Sequence, residues 1–221
     1  MQQILVYSDS LSWGIIPTSR QRLSFADRWP GVMETALLAA GKSVRVIENC
    51  LNGRRTTFDD PFKPGRNGLD GIEQVMEMHA PLSLVILMLG TNDFQSMHPH
   101  NAWHATQGCR AIIDAMRRAP IEPGMPVPPI LLMAPPPIEE PKGPIRPKFL
   151  GGDAKCVGLA EAYTELAKEM DCAFFNVHDV TPASQIDGIH LDKDQHHVLG
   201  KAMAEQVVVT LDLLKCSTIK E

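Results

Sequence analysis

Four short segments hold residue types that do nucleophilic chemistry when they meet: Asp9-Ser10-Leu11, Asn52-Gly53, Gly90-Thr91-Asn92-Asp93 and Asp187-Gly188-Ile189-His190. A serine hydroxyl is a poor nucleophile at neutral pH until a neighbouring base takes its proton. His190 is the candidate base. Asp187, three residues before it, is near enough to set its tautomer and stabilise the imidazolium. Attack by Ser10 on a carbonyl puts negative charge on an oxygen that needs two or three donors at about 3 Å. The backbone N–H groups of Ser10 and Gly53 and the side-chain amide of Asn92 are the candidates. Gly53 suits the task because a missing Cβ lets backbone come close to a substrate. Taken singly, each segment reads as an ordinary turn. Their joint occurrence in this order points to attack of a serine on an ester carbonyl.

Other residues of chemical type fit blander roles. A polar loop leading into a helix explains His98, His100 and His104; no cysteine or acidic partner lies nearby, so no metal site is expected. His196 and His197 are expected on the exposed face of a helix, and Arg54 and Arg55 as solvated loop charges. Trp13 and Phe149 are candidates to line an acyl pocket, with core packing as the equal alternative. No Gly-x-Gly-x-x-Gly follows the first strand-like run and no Walker loop appears, so no nucleotide cofactor is expected.

The elements that must position these residues follow from hydrophobic period. Short apolar runs at Ile4–Tyr7, Val44–Glu48, Leu84–Leu89, Ile130–Met133 and Ala173–Val177 read as strands buried on both faces. Helical period marks Gly31–Ala40, Gly71–His79, Ala102–Arg118, Ala154–Met170 and Asp194–Leu214. Asp153 and Asp192 are expected as N-caps. Five β-then-α units predict a doubly wound, three-layer α/β/α sandwich on a five-stranded parallel sheet, flavodoxin-like in pattern. Ligands bind such sheets outside the carboxyl ends of the strands. Ser10, Asn52-Gly53, Asn92 and Asp187/His190 follow the first, second, third and fifth strands, so they are expected to converge on one rim.

Two proline-rich stretches, 120–129 and 134–147, flank the fourth strand, and the second is expected as a stiff wall beside that rim. A single domain over residues 1–214 is expected, followed by a polar tail at 215–221.

Composition narrows the function classes. The 221 residues are 44% hydrophobic and 21% charged, the proportions of a globular protein, and 21 basic against 26 acidic side chains leave a formal charge of −5. No basic block is present, so neither nucleic acid nor an anionic membrane is an expected partner. No apolar run approaches a membrane span and no basic n-region precedes an apolar stretch at the N-terminus. Five scattered cysteines without a Cys-x-x-Cys read as reduced thiols, so a cytoplasmic location is expected. Only 5% of residues are aromatic, and no long apolar lid is visible, which favours short acyl groups over long-chain lipids.

With those motifs in hand, the chain resembles the SGNH subgroup of the GDSL esterase/lipase family over essentially its full length. The matching segments are 8–14 (Ser-Asp-Ser-Leu-Ser-Trp-Gly), Leu51-Asn52-Gly53-Arg54, Gly90-Thr91-Asn92-Asp93 and Asp187-Gly188-Ile189-His190. The resemblance implies Ser10 as nucleophile, His190 as base, Asp187 as third member of the triad, and Ser10, Gly53 and Asn92 as the oxyanion hole. It looks closest to small bacterial arylesterases and acyltransferases. That implies short-chain carboxylic esters of aryl, alkyl or acetylated sugar type, hydrolysis or acyl transfer to an alcohol, no cofactor, and a homo-oligomer.

Two positions where the family carries glycine depart from it. Ser8 is expected to crowd the turn that presents Ser10. Cys50 is expected to be a buried small residue, not a nucleophile. A catalytically degraded binding protein on the same fold is the alternative these departures leave.

Overall fold

The structure, a computed structural model, describes the backbone of residues 1–218 and side chains through Asp212. In chain order the elements are β1 (Gln2–Ser8), α1 (Ser10–Trp13), α2 (Trp29–Ala39), β2 (Val44–Cys50), α3 (Ile72–His79), β3 (Leu84–Met88), α4 (Ala102–Arg118), β4 (Ile130–Ala134), α5 (Arg146–Phe149), α6 (Gly152–Lys155), α7 (Leu159–Glu169), β5 (Ala173–Asn176) and α8 (Lys193–Thr218). The strands form one sheet in the order β2-β1-β3-β4-β5, every pair parallel. The expected doubly wound α/β sandwich is therefore observed. Strand order reverses between β1 and β3, which opens a crevice at their carboxyl ends.

Alternation along each strand divides the core in two. Leu5, Tyr7, Val85, Leu87 and Leu132 face α3, α4 and α7, where Ile72, Cys109, Ile112 and Leu166 complete one cluster. Ile4, Val6, Ile86, Leu131 and Met133 face α2 and α8, packing on Trp29, Met33, Leu199 and Met203. Each fully buried aliphatic side chain contributes about 1.5–3 kcal/mol of transfer free energy. Covering the sheet on both faces is what makes these strands apolar throughout instead of alternating.

The expected elements differ from the observed ones in particular places. The helix expected over 154–170 is two, α6 and α7, because Gly158 caps α7 in a left-handed conformation, φ +81°. Asp153 lies in the first turn of α6, whose N-cap is Gly151. Asp192 does precede α8: its carbonyl accepts from the His196 N–H at 2.9 Å and its own N–H donates to Gln195 Oε1 at 2.7 Å. Where a polar tail was expected from 215, the helix runs on to Thr218; residues 219–221 of that tail lie outside the described residues. Among the described residues no helix is long and apolar enough to cross a membrane.

Candidate active site

Sheet register brings the first three segments to one level. Ser8, the last residue of β1, pairs with Cys50 at the end of β2 and with Met88 at the end of β3. The residues that follow each strand therefore emerge on the same rim. Asp9 caps α1, its side chain accepting from the Leu11 N–H at 2.9 Å, so Ser10 becomes the first residue of a one-turn helix.

The crowding expected at Ser8 is absent. Ser8 is ordinary extended strand and its hydroxyl joins a buried relay. Trp29 Nε1 donates to Ser12 Oγ, Ser12 donates to Ser8 Oγ at 2.7 Å, and Ser8 donates to the Met88 carbonyl at 2.8 Å. Ser8 and Ser12 are fully buried there, so the hydroxyl in place of a glycine ties β1, β3 and α2 together. Cys50 is a partly buried free thiol at the end of β2, held against ionisation by burial and by Glu48.

Asn92 lies in the 3-10 turn Thr91–Phe94 after β3. Its Nδ2 donates one hydrogen to Asp9 Oδ2 at 2.8 Å, and its Oδ1 accepts from Gln95 Nε2 at 2.8 Å. Arg55 Nη2 in turn donates to Gln95 Oε1 at 2.6 Å. An amide nitrogen has two hydrogens, so the second Asn92 N–H remains for the cleft. Asp9 and Asp93 are both fully desolvated carboxyls. Burial raises Asp9 to about 6 against the Leu11 N–H, His190 and Asn92, and raises Asp93 to about 7 against the N–H and hydroxyl of Thr56.

Arg54 and Arg55 are not the solvated charges expected from sequence. Arg55 is fully buried, paired with Asp60 at 3.0 Å and donating to His98 Nε2 at 2.7 Å. Arg54 lies 4.0 Å over the Tyr7 ring and donates to the Ser8 and Asn49 carbonyls. Both are structural cations that fasten the loop after β2. His98, His100 and Phe58 form a stack beside Arg55, His98 and His100 with centroids 4.9 Å apart.

The loop after β5 delivers His190. Asp187 Oδ2 meets His190 Nδ1 at 2.7 Å, and Asp187 Oδ1 accepts the N–H groups of Ile189 and His190, each at 2.9 Å. Burial works to raise the Asp187 pKa. The His190 ring and the two N–H groups outweigh it, and the carboxyl stays below its ordinary value. The loop is closed on itself by Ser184, whose N–H donates to the His190 carbonyl at 2.7 Å and whose hydroxyl donates to Asp192.

The second proline-rich stretch braces this turn from outside, as expected of a stiff wall. Glu139 N–H donates to the Gly188 carbonyl and Lys142 N–H to the Asp187 carbonyl. Gly188 has φ +77°, and a Cβ there would meet the Glu140 carbonyl oxygen at 2.4 Å. Only glycine fits.

His196, expected on a helix surface, is buried on α8, where its Nδ1 accepts the Trp29 N–H at 3.2 Å; burial lowers its pKa to about 3. The reason is that α8 packs this face against α2. His197 is half-buried, 3.3 Å from Asp27.

Ser10, Gly53, Asn92 and His190 line one small cavity of about 40 Å³, with Phe149 at its side. Gly53 has φ +85° and nothing within 4 Å of where a Cβ would point. His190 and Asp187 also line an adjoining cavity of about 270 Å³. Trp13 lines neither; its ring packs under the Arg22 guanidinium, 4.7 Å away. Ile15, Ile145, Arg20 and Lys148 line both cavities, and sequence reasoning passed over all four. Only the convergence of residues after β1 with the end of the proline-rich stretch shows them.

The model of the GDSL-like Lipase/Acylhydrolase family matches residues 9–198, nearly the whole of this constellation and its scaffold. The chain belongs to that family. Among solved structures, this GDSL-like family member is similar to the M. smegmatis aryl esterase, at 33% identity and a TM-score of 0.89 over 95% of this chain and 99% of that one. It is similar also to a carbohydrate acetylesterase from Sinorhizobium meliloti, at 32% identity and a TM-score of 0.89 over 95% of this chain and all of that one. A curated relative, an arylesterase from Vibrio mimicus, is 33% identical over 92 residues, a match spanning 42% of this chain and 38% of that protein. In this GDSL-like hydrolase the family match ends at residue 198, within α8, and so takes in the Asp187–His190 turn.

Proposed function

We propose that the chain is a serine esterase acting on short-chain carboxylic esters through an acyl-enzyme. The observation that carries this reading is the shared cavity of Ser10, Gly53, Asn92 and His190, with His190 bonded to Asp187 at 2.7 Å. The family membership and the relatives named arylesterase and carbohydrate acetylesterase support it.

In this reading Ser10 Oγ attacks the ester carbonyl while His190 takes its proton. Asp187, held ionised by three donors, keeps the Nδ1 proton of His190 facing it, so Nε2 is the atom that exchanges protons with Ser10. The tetrahedral oxyanion accepts from the N–H groups of Ser10 and Gly53 and from the free hydrogen of Asn92 Nδ2. His190 returns the proton to the departing alkoxide, leaving an ester of Ser10. Water, or a second alcohol, then attacks that ester by the same steps in reverse. The small volume around Ser10 favours a short acyl group such as acetyl.

The test is hydrolysis of p-nitrophenyl acetate together with labelling by a fluorophosphonate. The native protein is expected to do both. Ser10→Ala is expected to lose the label and to lower kcat by roughly 10⁴-fold or more, the scale of removing a serine nucleophile. Undiminished hydrolysis by Ser10→Ala places the chemistry on another residue.

A further inference from the structure

The mouth of this cleft is basic although the protein is acidic. Arg20, Lys142 and Lys148 line the larger cavity, and Arg20, Lys63 and Lys148 line the smaller. Among the described residues Asp187 is the only acid lining either cavity, and it is committed to His190. Asp60 faces Lys148 but is paired with Arg55. Among the described residues no ion pair forms on Arg20, Lys63, Lys142 or Lys148, and Lys142 Nζ reaches only the Gln185 carbonyl, at 3.2 Å. Four cations without an ion pair among the described residues, lining two adjoining cavities on a chain of net charge −5, make a local field opposite in sign to the whole.

Backbone geometry shows that this arrangement is held at a cost. Three non-glycine residues in the described chain have positive φ, and two of them, Thr18 at +65° and Arg20 at +58°, line the larger cavity. Each such conformation costs on the order of 1 kcal/mol or more and persists where the surroundings impose it. The Arg20 N–H is tied to the Ile16 carbonyl at 3.0 Å, and Ile16 N–H to the Gln21 carbonyl at 2.8 Å. That turn sets Arg20 in the lining that both cavities share with Lys148. Lys148 is pushed toward its neutral form by partial desolvation and then by Arg55, with Asp60 opposing and Arg20 and Lys63 adding less, so an arriving anion relieves the repulsion that remains.

The two cavities divide the ester. The smaller holds the oxyanion donors and so the carbonyl. The larger is lined by His190 without Ser10, Gly53 or Asn92, and His190 must protonate the departing alkoxide. That assigns the alcohol portion to the larger cavity, which has the room for it and none of the oxyanion donors. We propose that Arg20, Lys142 and Lys148 select esters whose alcohol portion carries an anionic group, a carboxylate or a phosphate, the preference resting on the acyl-enzyme reading above.

The experiment compares kcat/KM within matched pairs. On the alcohol side the pair is 4-carboxyphenyl acetate against neutral 4-carbamoylphenyl acetate; on the acyl side it is monophenyl adipate against phenyl hexanoate. Each rate is corrected for the uncatalysed one. The native protein is expected to favour the anionic member of the alcohol pair by about 10-fold or more, the scale of one charge-assisted hydrogen bond. That ratio is expected to fall with rising NaCl, and to fall toward one in the double variant Arg20→Gln/Lys148→Gln, with each protein serving as its own reference. The salt series on the native protein decides the matter if the variant fails to fold. A ratio near one, or one indifferent to salt, overturns the proposal, and a preference confined to the acyl pair overturns the placement of the anion. Failure of fluorophosphonate labelling together with no hydrolysis of any of the four esters defeats the acyl-enzyme reading instead. Labelling with a flat alcohol pair defeats this inference alone.

Discussion

Asn92 is gripped at both ends of its amide, by Asp9 on nitrogen and by Gln95 on oxygen. That grip leaves one N–H in a fixed direction, which is what a donor to a transient oxyanion requires, since no reorganisation is then needed during reaction. Asn92→Ala is expected to lower kcat by about 10²–10³-fold with KM nearly unchanged, the signature of a contact made in the transition state. Gln95→Ala removes the grip but not the donor. In the proposed reaction Gln95 acts as a positioning residue, and its loss is expected to lower kcat about 10-fold, measured by the same steady-state kinetics. Equal rises in KM in both variants count against the oxyanion role. At this scale the Asp187–His190 bond was legible in sequence because its members lie three residues apart, whereas Ser10 stood out only through its order with the other motifs. Arg55 was not, because its partner Gln95 lies 40 residues away, and Gln95 was passed over although Asn92 is only three residues before it.

Elements position the site mainly by closing loops against each other. The Asp187–His190 turn has no helix or strand of its own; Ser184 closes it from within and the proline-rich stretch from without. Gly188 is the point of closest approach. Gly188→Ala introduces both a disfavoured φ and a clash with backbone at Glu140, and is expected to destabilise the fold by about 1–3 kcal/mol. The same change is expected to lower kcat, because the turn that carries His190 must shift. Urea midpoints and single-turnover rates measure the two effects separately, and an unchanged midpoint shows that the proline-rich stretch yields. Sequence placed all five strands because buried parallel strands leave short, strongly apolar runs. It merged α6 with α7 because period alone does not reveal a glycine cap, and it put His196 outside because two equally apolar helix faces do not announce which meets α2.

For the molecule as a whole, the buried carboxyls beneath the site set a pH dependence of stability. Asp93, at about 7 when folded against an ordinary 3.8, binds its proton more tightly in the folded state, and Asp9, at about 6, does the same. Between the ordinary and the folded value the folded state carries more protons, so stability falls as pH rises from about 4 to about 7. Asp187 acts in the opposite sense. Its folded value is lowered, so its contribution is present above the ordinary carboxylate range and is lost as pH falls through the folded value. Asp93→Asn keeps both bonding partners at Thr56 without the titration. Urea unfolding at pH 5 and pH 8 is expected to show a smaller loss of stability in this variant than in the native chain. An identical loss in both proteins assigns the slope to other groups.

What the sequence determined by itself was local: the strands, the order of the four motifs, and the aspartate that orients His190. Those depend on residue type and on spacing within a few positions, which the chain states directly. Tertiary structure decided everything that requires two distant segments to meet. Register between β1, β2 and β3 set Ser10, Gly53 and Asn92 level on one rim. It also showed that Ser8 is absorbed by a hydroxyl relay, that Arg54 and Arg55 are buried fasteners, and that the cleft mouth is cationic. Charge and burial belong to positions in space, and no linear pattern specifies them.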